Sequence, residues 1–326
     1  MSAFVCHSFG SADVLHQTTI DRPSPTPGEV LVRVRATSVN PYDWHILRGE
    51  PRIARLMGIG LRRPKQTILG ADVAGEVAAV GAGVTAFKAG DEVYALVSGG
   101  GFAEYVCVPE RDLVPKPRNL SFEEAAAVPL AACTALIAVR DAGRVQPGHS
   151  VLINGASGGV GTFAVQLARA LGAEVTGVCG PRNVELVRSL GAGTVIDYST
   201  EDFTRTRRRY DLMIDIAGGK RISAGRRILT AKGTYVVVGG PAGRWLQPAG
   251  HVFATLAVAP FVSQRMTNAD LVRGKENPRN LRTLAGLIED GSVRPVIDRR
   301  YSFDELPAAV AYQETGHCAG KVVVTV

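Results

Sequence analysis

Residues 151–183, VLINGASGGVGTFAVQLARALGAEVTGVCGPRN, set a glycine-rich turn between an apolar strand and an amphipathic helix, with a second strand directly after. The first strand ends near Asn154, and Val160, Phe163, Ala164, Leu167 and Leu171 follow at helical spacing. Gly158 and Gly159 permit a tight turn and the close approach of a phosphate, and Gly161 lets the helix pack on the strand. The helix N-terminus offers free N–H groups to an anion. Strand, turn, helix and the strand EVTGV together make the context that a dinucleotide-binding turn requires. The turn lacks a Lys-Ser/Thr ending, which disfavours ATP.

Around this motif, strands at 151–154, 174–178, 194–197, 211–216 and 234–238 are interleaved with helices at 160–171, 183–190 and 220–229. That alternation predicts an α/β doubly wound parallel sheet covered on both faces. Residues 1 to about 115 read differently: EVLVRVRATSV, DVAGEVAAVG, DEVYALV and GFAEYVCVP are strand-like runs separated by Gly and Pro turns. The change comes at SFEEAAAVPL, where Ser121 is placed to cap a helix with Glu123 and Glu124 in its first turn. After about residue 262 come two helices and a last strand, GKVVVTV. Periodicity alone leaves open whether this tail extends the parallel sheet or returns to the β-rich part. A chain of 326 residues with 46% hydrophobic content suffices for two cored domains.

Five widely spaced cysteines with no Cys-x-x-Cys pair suit a reducing compartment, and the cytoplasm is expected. No export signal is expected from MSAFVCHSFG, and HVFATLAVAPFV, about a dozen residues with an internal proline, is too short to span a membrane. The net charge of +7 includes two basic clusters, LRRPK and RTRRRY, with few aromatics between the arginines. This favours solvated basic loops and attraction for anionic ligands, and no nucleic-acid partner is expected. At the end of the second strand, VCGPRN carries no acid for a ribose 2′-hydroxyl and supplies Arg182 for a 2′-phosphate. NADP(H) is therefore the expected cofactor.

With the turn, AVPLAACTALIAV before it, GAGTVIDY after it and NPYDWHILRG near the start, the chain resembles the medium-chain dehydrogenase/reductase superfamily, in its zinc-independent quinone oxidoreductase branch. The resemblance implies a GroES-like β-rich catalytic domain (1–120 and 263–326), a Rossmann NADP-binding domain (121–262), a catalytic cleft at their junction and a homodimer. Implied cofactor contacts are Asn40, Thr134, Ser157, Gly158, Gly159, Val160, Gly180, Arg182, Tyr198, Ala217, Val238, Gly239 and Gly240. Arg182 and Tyr198 are expected near the adenosine phosphate, and Thr134, Ala217 and 238–240 along the nicotinamide half. Substrate-pocket walls are expected from 48–66 and 242–275, which carry no readable signature.

Zinc-dependent relatives carry Gly-His-Glu where this chain has Gly70, Ala71 and Asp72, and a cysteine in the region of Asn40. Their four-cysteine structural loop is also missing, and no metal site is expected. Convergence of Asp43, His45, Asp72 and Cys133 is the one alternative. Without a Lewis acid, hydride donation to an electrophilic acceptor is easier than alcohol oxidation. The expected activity is reduction of a quinone or α,β-unsaturated carbonyl, with Asn40 and Asp43 as candidate catalytic residues. Asn40, Pro41 and Asp43 also suit the N-cap, first turn and dipole of a helix, and both roles stay open. Tyr42 and Tyr94 are conceivable proton donors, Cys133 reads as core, and Trp44 as either pocket wall or core anchor. The alternatives are a metal-free NADP-linked alcohol or carbonyl dehydrogenase and a non-catalytic NADPH-binding protein.

Overall fold

The computed structural model describes residues 1–240, 243, 245, 249–269 and 276–326. The chain divides into two compact units, one of Met1–Ala131, Gly274–Gly291 and Pro295–Val326, the other of Ala132–Arg273 and Ser292–Arg294.

The first unit opens with a small antiparallel pair, β1 (Ser2–Val5) and β2 (His16–Thr19). Next come β3 (Glu29–Val39), helices α1 (Pro41–Arg48) and α2 (Arg52–Ala54), and strands β4 (Asp72–Val80), β5 (Glu92–Leu96), β6 (Tyr105–Pro109) and β7 (Val114–Pro115). Helices α3 (Phe122–Ala126) and α4 (Pro129–Leu136) lead out of it. Ser121 caps α3 in a capping box with Glu124, the second of the acid pair noted in the sequence. β3 runs eleven residues, long enough to pair with β4 along its length, β6 at one end and the C-terminal strand at the other.

The second unit holds β8 (Ser150–Asn154), α5 (Gly159–Ala170), β9 (Glu174–Cys179), α6 (Val184–Ser189), β10 (Thr194–Asp197), β11 (Tyr210–Asp215), α7 (Ile222–Arg227), β12 (Leu229–Val237), α8 (Ala249–Val258) and β13 (Arg265–Asn268). The strands form one parallel sheet in the order β10-β9-β8-β11-β12-β13, so the strand order reverses beside β8, where the glycine turn begins. Helix α7 is shorter than the expected 220–229 because Leu229 already pairs with Tyr210.

The chain then gives α9 (Asn277–Glu289), β14 (Ile297–Ser302), α10 (Leu306–Glu314) and β15 (Lys321–Thr325). β15 lies antiparallel to β3, Val322 facing Val39, so the tail returns to the β-rich unit. Its expected start at 263 falls too early: β13 is the sixth strand of the parallel sheet, pairing Thr234–Val237 with Arg265–Asn268. The interval 242–275 is thus in part helix and strand, and 242, 244, 246–248 and 270–275 lie outside the described residues. Among the described residues no helix is long and apolar enough to cross a membrane.

Candidate functional site

In the second unit, β8 ends at Asn154 and the chain turns at Gly155, whose φ of +88° favours glycine. A Cβ on Gly161 would lie 2.0 Å from the Gly155 carbonyl oxygen, so this glycine is demanded by the approach of helix to strand. Gly158 differs: a Cβ there meets only the Gly155 oxygen, at 3.7 Å, and its φ of −77° suits any residue. The chain itself does not require glycine at 158, and the space is open. No side chain caps the twelve-residue α5, and Ser157, Gly158, Gly159 and Val160 are half-buried at its N-terminus. Open space beside uncapped N–H groups fits a phosphate.

Beyond β9, Gly180 sits against Tyr198, a Cβ on the glycine lying 3.1 Å from the phenol oxygen. The Tyr198 N–H donates to the Cys179 carbonyl (3.1 Å), and the ring is 59% exposed. Asn183 Nδ2 donates to Ser157 Oγ (3.2 Å), tying this corner to the glycine turn. Arg182 is exposed and has no ion pair among the described residues. The nearby Asp197 carboxylate accepts from Ser199 N–H and Oγ (2.9 and 2.8 Å) and caps its own turn.

The ends of β8, β11 and β12 bring Gly155, Ala217, Val238 and Gly239 side by side. Ala217 N–H donates to Asn154 O (3.3 Å), Val238 N–H donates to Asp215 O (2.9 Å), and a Cβ on Gly239 would lie 2.6 Å from Ile216 O. Gly240 follows half-buried, and Thr134 is buried on α4. Beneath these ends lies a polar group that sequence reasoning missed. Asp215 Oδ1 accepts from Asn154 Nδ2 (2.7 Å) and Gly218 N–H (2.9 Å); Oδ2 accepts from Tyr235 OH (2.5 Å) and lies 3.2 Å from His251 Nε2. Burial alone would raise this carboxyl, yet the bonds from His251, Tyr235 and Asn154 hold it below its ordinary value. The signal available was an acid closing the apolar strand YDLMID.

In the first unit, Asn40 and Asp43 come together with Asp72 and a residue not anticipated, Lys321. The Asn40 N–H donates to Asp43 Oδ2 (2.8 Å) and Gly70 N–H to Asp43 Oδ1 (3.1 Å), the reverse half of a capping box plus one loop contact. The Asn40 amide instead turns inward: Nδ2 donates to Asp72 Oδ2 (2.9 Å) and, weakly, to Ser38 O (3.4 Å), and Oδ1 accepts from Lys321 Nζ. Lys321 also reaches Asp72 Oδ2 (3.2 Å), which takes the Ser38 hydroxyl as well (2.5 Å), and Leu130 N–H donates to Asp72 Oδ1 (2.7 Å). Burial pushes the Asp43 carboxyl up to about 7; the Asp72 charge adds to the rise, and the Asn40 and Gly70 N–H groups and Lys321 oppose it.

Asn40 and Asp43 are each 1% exposed, with these atoms committed to partners within the group. Their geometry is that of positioning residues. Lys321 escaped notice because it opens the apolar strand KVVVT, where a lysine reads as a terminal solvated charge. Tyr94 is fully buried and donates to Leu281 O (2.7 Å), which removes it as a proton donor; Tyr42 is 44% exposed. Trp44 packs in a core cluster with Leu47 and Phe102, and Cys133 is fully buried. His45 Nδ1 lies 3.0 Å from the Glu50 carbonyl, and among the described residues no group of three or more His, Cys, Asp or Glu side chains is placed to hold a metal ion.

Two family models match the chain. A family described as "Alcohol dehydrogenase GroES-like domain" matches residues 26–118, and one described as "Zinc-binding dehydrogenase" matches 190–324. The "Chloroplast envelope quinone oxidoreductase homolog" of Arabidopsis thaliana is 36% identical over 340 residues, covering 99% of this chain and 98% of that protein. The chain belongs to the quinone oxidoreductase-like branch of the medium-chain dehydrogenase/reductase superfamily. Another member, "NAD(P)H oxidoreductase RTN4IP1, mitochondrial" of Mus musculus, is 34% identical over 355 residues, covering all of this chain and 89% of that protein. Among solved structures, the quinone oxidoreductase from Coxiella burnetii superposes with a TM-score of 0.85 at 30% identity, covering 100% and 99% of the two chains. The CurK enoyl reductase superposes at 0.87 with 26% identity, covering 99% and 98%. As a member of this branch the protein is an NAD(P)H-dependent oxidoreductase.

Proposed function

We propose that this oxidoreductase uses NADPH to reduce a quinone or an α,β-unsaturated carbonyl without a metal. The observation that carries the cofactor choice is the corner after β9: an exposed Arg182 with no ion pair among the described residues, the Tyr198 hydroxyl over Gly180 and no acid closing the strand. When bound, the nicotinamide supplies the hydride. The α5 N-terminus and the open space at Gly158 hold the pyrophosphate, and Arg182 and Tyr198 meet the 2′-phosphate. Ala217, Val238, Gly239, Gly240 and Thr134 hold the nicotinamide half. Asn40 and Asp43 position the start of α1 through the Lys321 network. The metal-free reading rests on Ala71 and Asn40, which supply neither imidazole nor thiolate, and on an acceptor whose conjugation already makes it electrophilic. The names of the relatives, quinone oxidoreductases and an enoyl reductase, support that acceptor class.

A homodimer in the cytoplasm completes the proposal. β13 ends the parallel sheet with its outer edge unpaired among the described residues, and Phe253, Leu256 and Phe261 are exposed close by in sequence. All five cysteines are free.

The test of cofactor choice is Arg182→Ala. Loss of one charge-assisted contact, about 1.5–3 kcal/mol, weakens NADPH roughly ten- to hundredfold and leaves NADH little changed. Equal weakening of both in steady-state kinetics removes Arg182 from the phosphate site.

A further inference from the structure

The segment 50–66, EPRIARLMGIGLRRPKQ, carries five cations against one acid. Arg55 is spent within the fold: its guanidinium donates to the carbonyls of Gly49 (2.8 Å) and Arg48 (3.1 Å) and lies over the Phe9 ring. Arg62, Arg63 and Lys65 are different. All three are exposed, and among the described residues none has a carboxylate within 4.0 Å or a side-chain hydrogen bond. They line one concavity of about 850 Å³ together with His7, Gly60 and Thr67.

The wall that carries them is pinned at both ends. Lys65 N–H donates to Ile59 O (2.9 Å), Cys6 N–H donates to Thr67 O (2.8 Å), and Pro64 is buried. Gly60, with φ of +115°, lets the turn close so tightly that a Cβ would lie 2.0 Å from the Arg63 carbonyl oxygen. The fold therefore holds three like charges in one hollow, without a counter-charge among the described residues, on a loop whose backbone is tied down. Like charges gathered this way repel each other and raise the local concentration of anions. Two guanidinium forks match the oxygens of a phosphate or sulfonate group, and the lysine adds a third point charge.

We propose that this hollow is an anion-binding site, separate from the glycine turn, that takes a phosphate- or sulfonate-class anionic group. The group comes either as the charged end of the acceptor or as a free anion from solution. Binding of inorganic pyrophosphate by titration calorimetry at low salt tests the site itself, on the full chain and on R62A/R63A/K65A. Because the three side chains are exposed, the variant keeps its melting temperature. The wild type titrates one site more than the variant, or binds it at least roughly tenfold more tightly. The glycine turn contributes equally to both proteins. Superimposable isotherms overturn the proposal.

The source is read from kcat/KM for 1,2-naphthoquinone and its 4-sulfonate in both proteins. Comparing the sulfonated-to-neutral ratio between proteins cancels the intrinsic reactivity of the two quinones. A ratio several-fold lower in the variant assigns the acceptor's charged end. An unchanged ratio, with pyrophosphate binding lost, assigns a free anion. Failure of quinone turnover altogether leaves the calorimetric test intact and counts against the reductase reading only.

Discussion

Gly158 and Gly161 sit three residues apart in one turn and answer to different demands. Gly161→Ala forces a methyl to 2.0 Å from a backbone oxygen, and overpacking of this kind costs about 1–3 kcal/mol or more. Gly158→Ala places a methyl in open space at an ordinary φ, so stability holds or rises by a few tenths of a kcal/mol. Cofactor affinity falls, because the methyl occupies the volume a phosphate needs. Thermal melts with and without NADPH separate the two: a stable apo Gly158→Ala that also binds NADPH normally contradicts the cradle. The glycine pattern was legible because backbone sterics act at a fixed distance along the chain. The burial of Asn40 was not legible, because the partners that turn its amide inward, Asp72 and Lys321, lie 32 and 281 residues away.

Strand register assembles the polar group of the first unit. Ser38 faces Asp72 across β3 and β4 and Val323 across β3 and β15, which brings the first residues of β4 and β15, Asp72 and Lys321, to the same end of β3. Such pairing cannot be read from periodicity, which gives a strand's faces and not its neighbours. The Lys321–Asp72 pair is 3% and 0% exposed, so Lys321→Met strands a buried charge and costs about 3–5 kcal/mol, whereas Asp72→Asn/Lys321→Met recovers most of it. Urea denaturation reads both, and equal loss in the single and double variants contradicts the pairing. Asp43 adds a pH dependence. An ordinary aspartate ionises near 3.8 and the folded one at about 7, so the folded chain binds the extra proton between those values. Stability is greatest on the acid side and declines as pH rises through that window. Asp43→Asn flattens the decline; parallel curves for the two proteins between pH 5 and 8 place the titration elsewhere.

At the scale of the whole molecule, the alternation of strands and helices was sufficient to expect the doubly wound sheet, while the destination of the tail rested on resemblance until β15 was found beside β3. The expected boundary at 263 missed β13 because four residues, RMTN, carry little apolar signal at a sheet edge. That edge bears on assembly: sedimentation velocity is expected to give a dimer, and an inward-breaking charge such as Phe261→Asp to shift it toward monomer. A wild-type monomer at micromolar concentration contradicts this. The central claim, metal-free hydride transfer from NADPH to a conjugated acceptor, is tested most directly by the initial rate of NADPH oxidation with a small quinone in the presence of a chelator. The expected result is turnover unchanged by the chelator; turnover abolished by it and restored by zinc would contradict the claim.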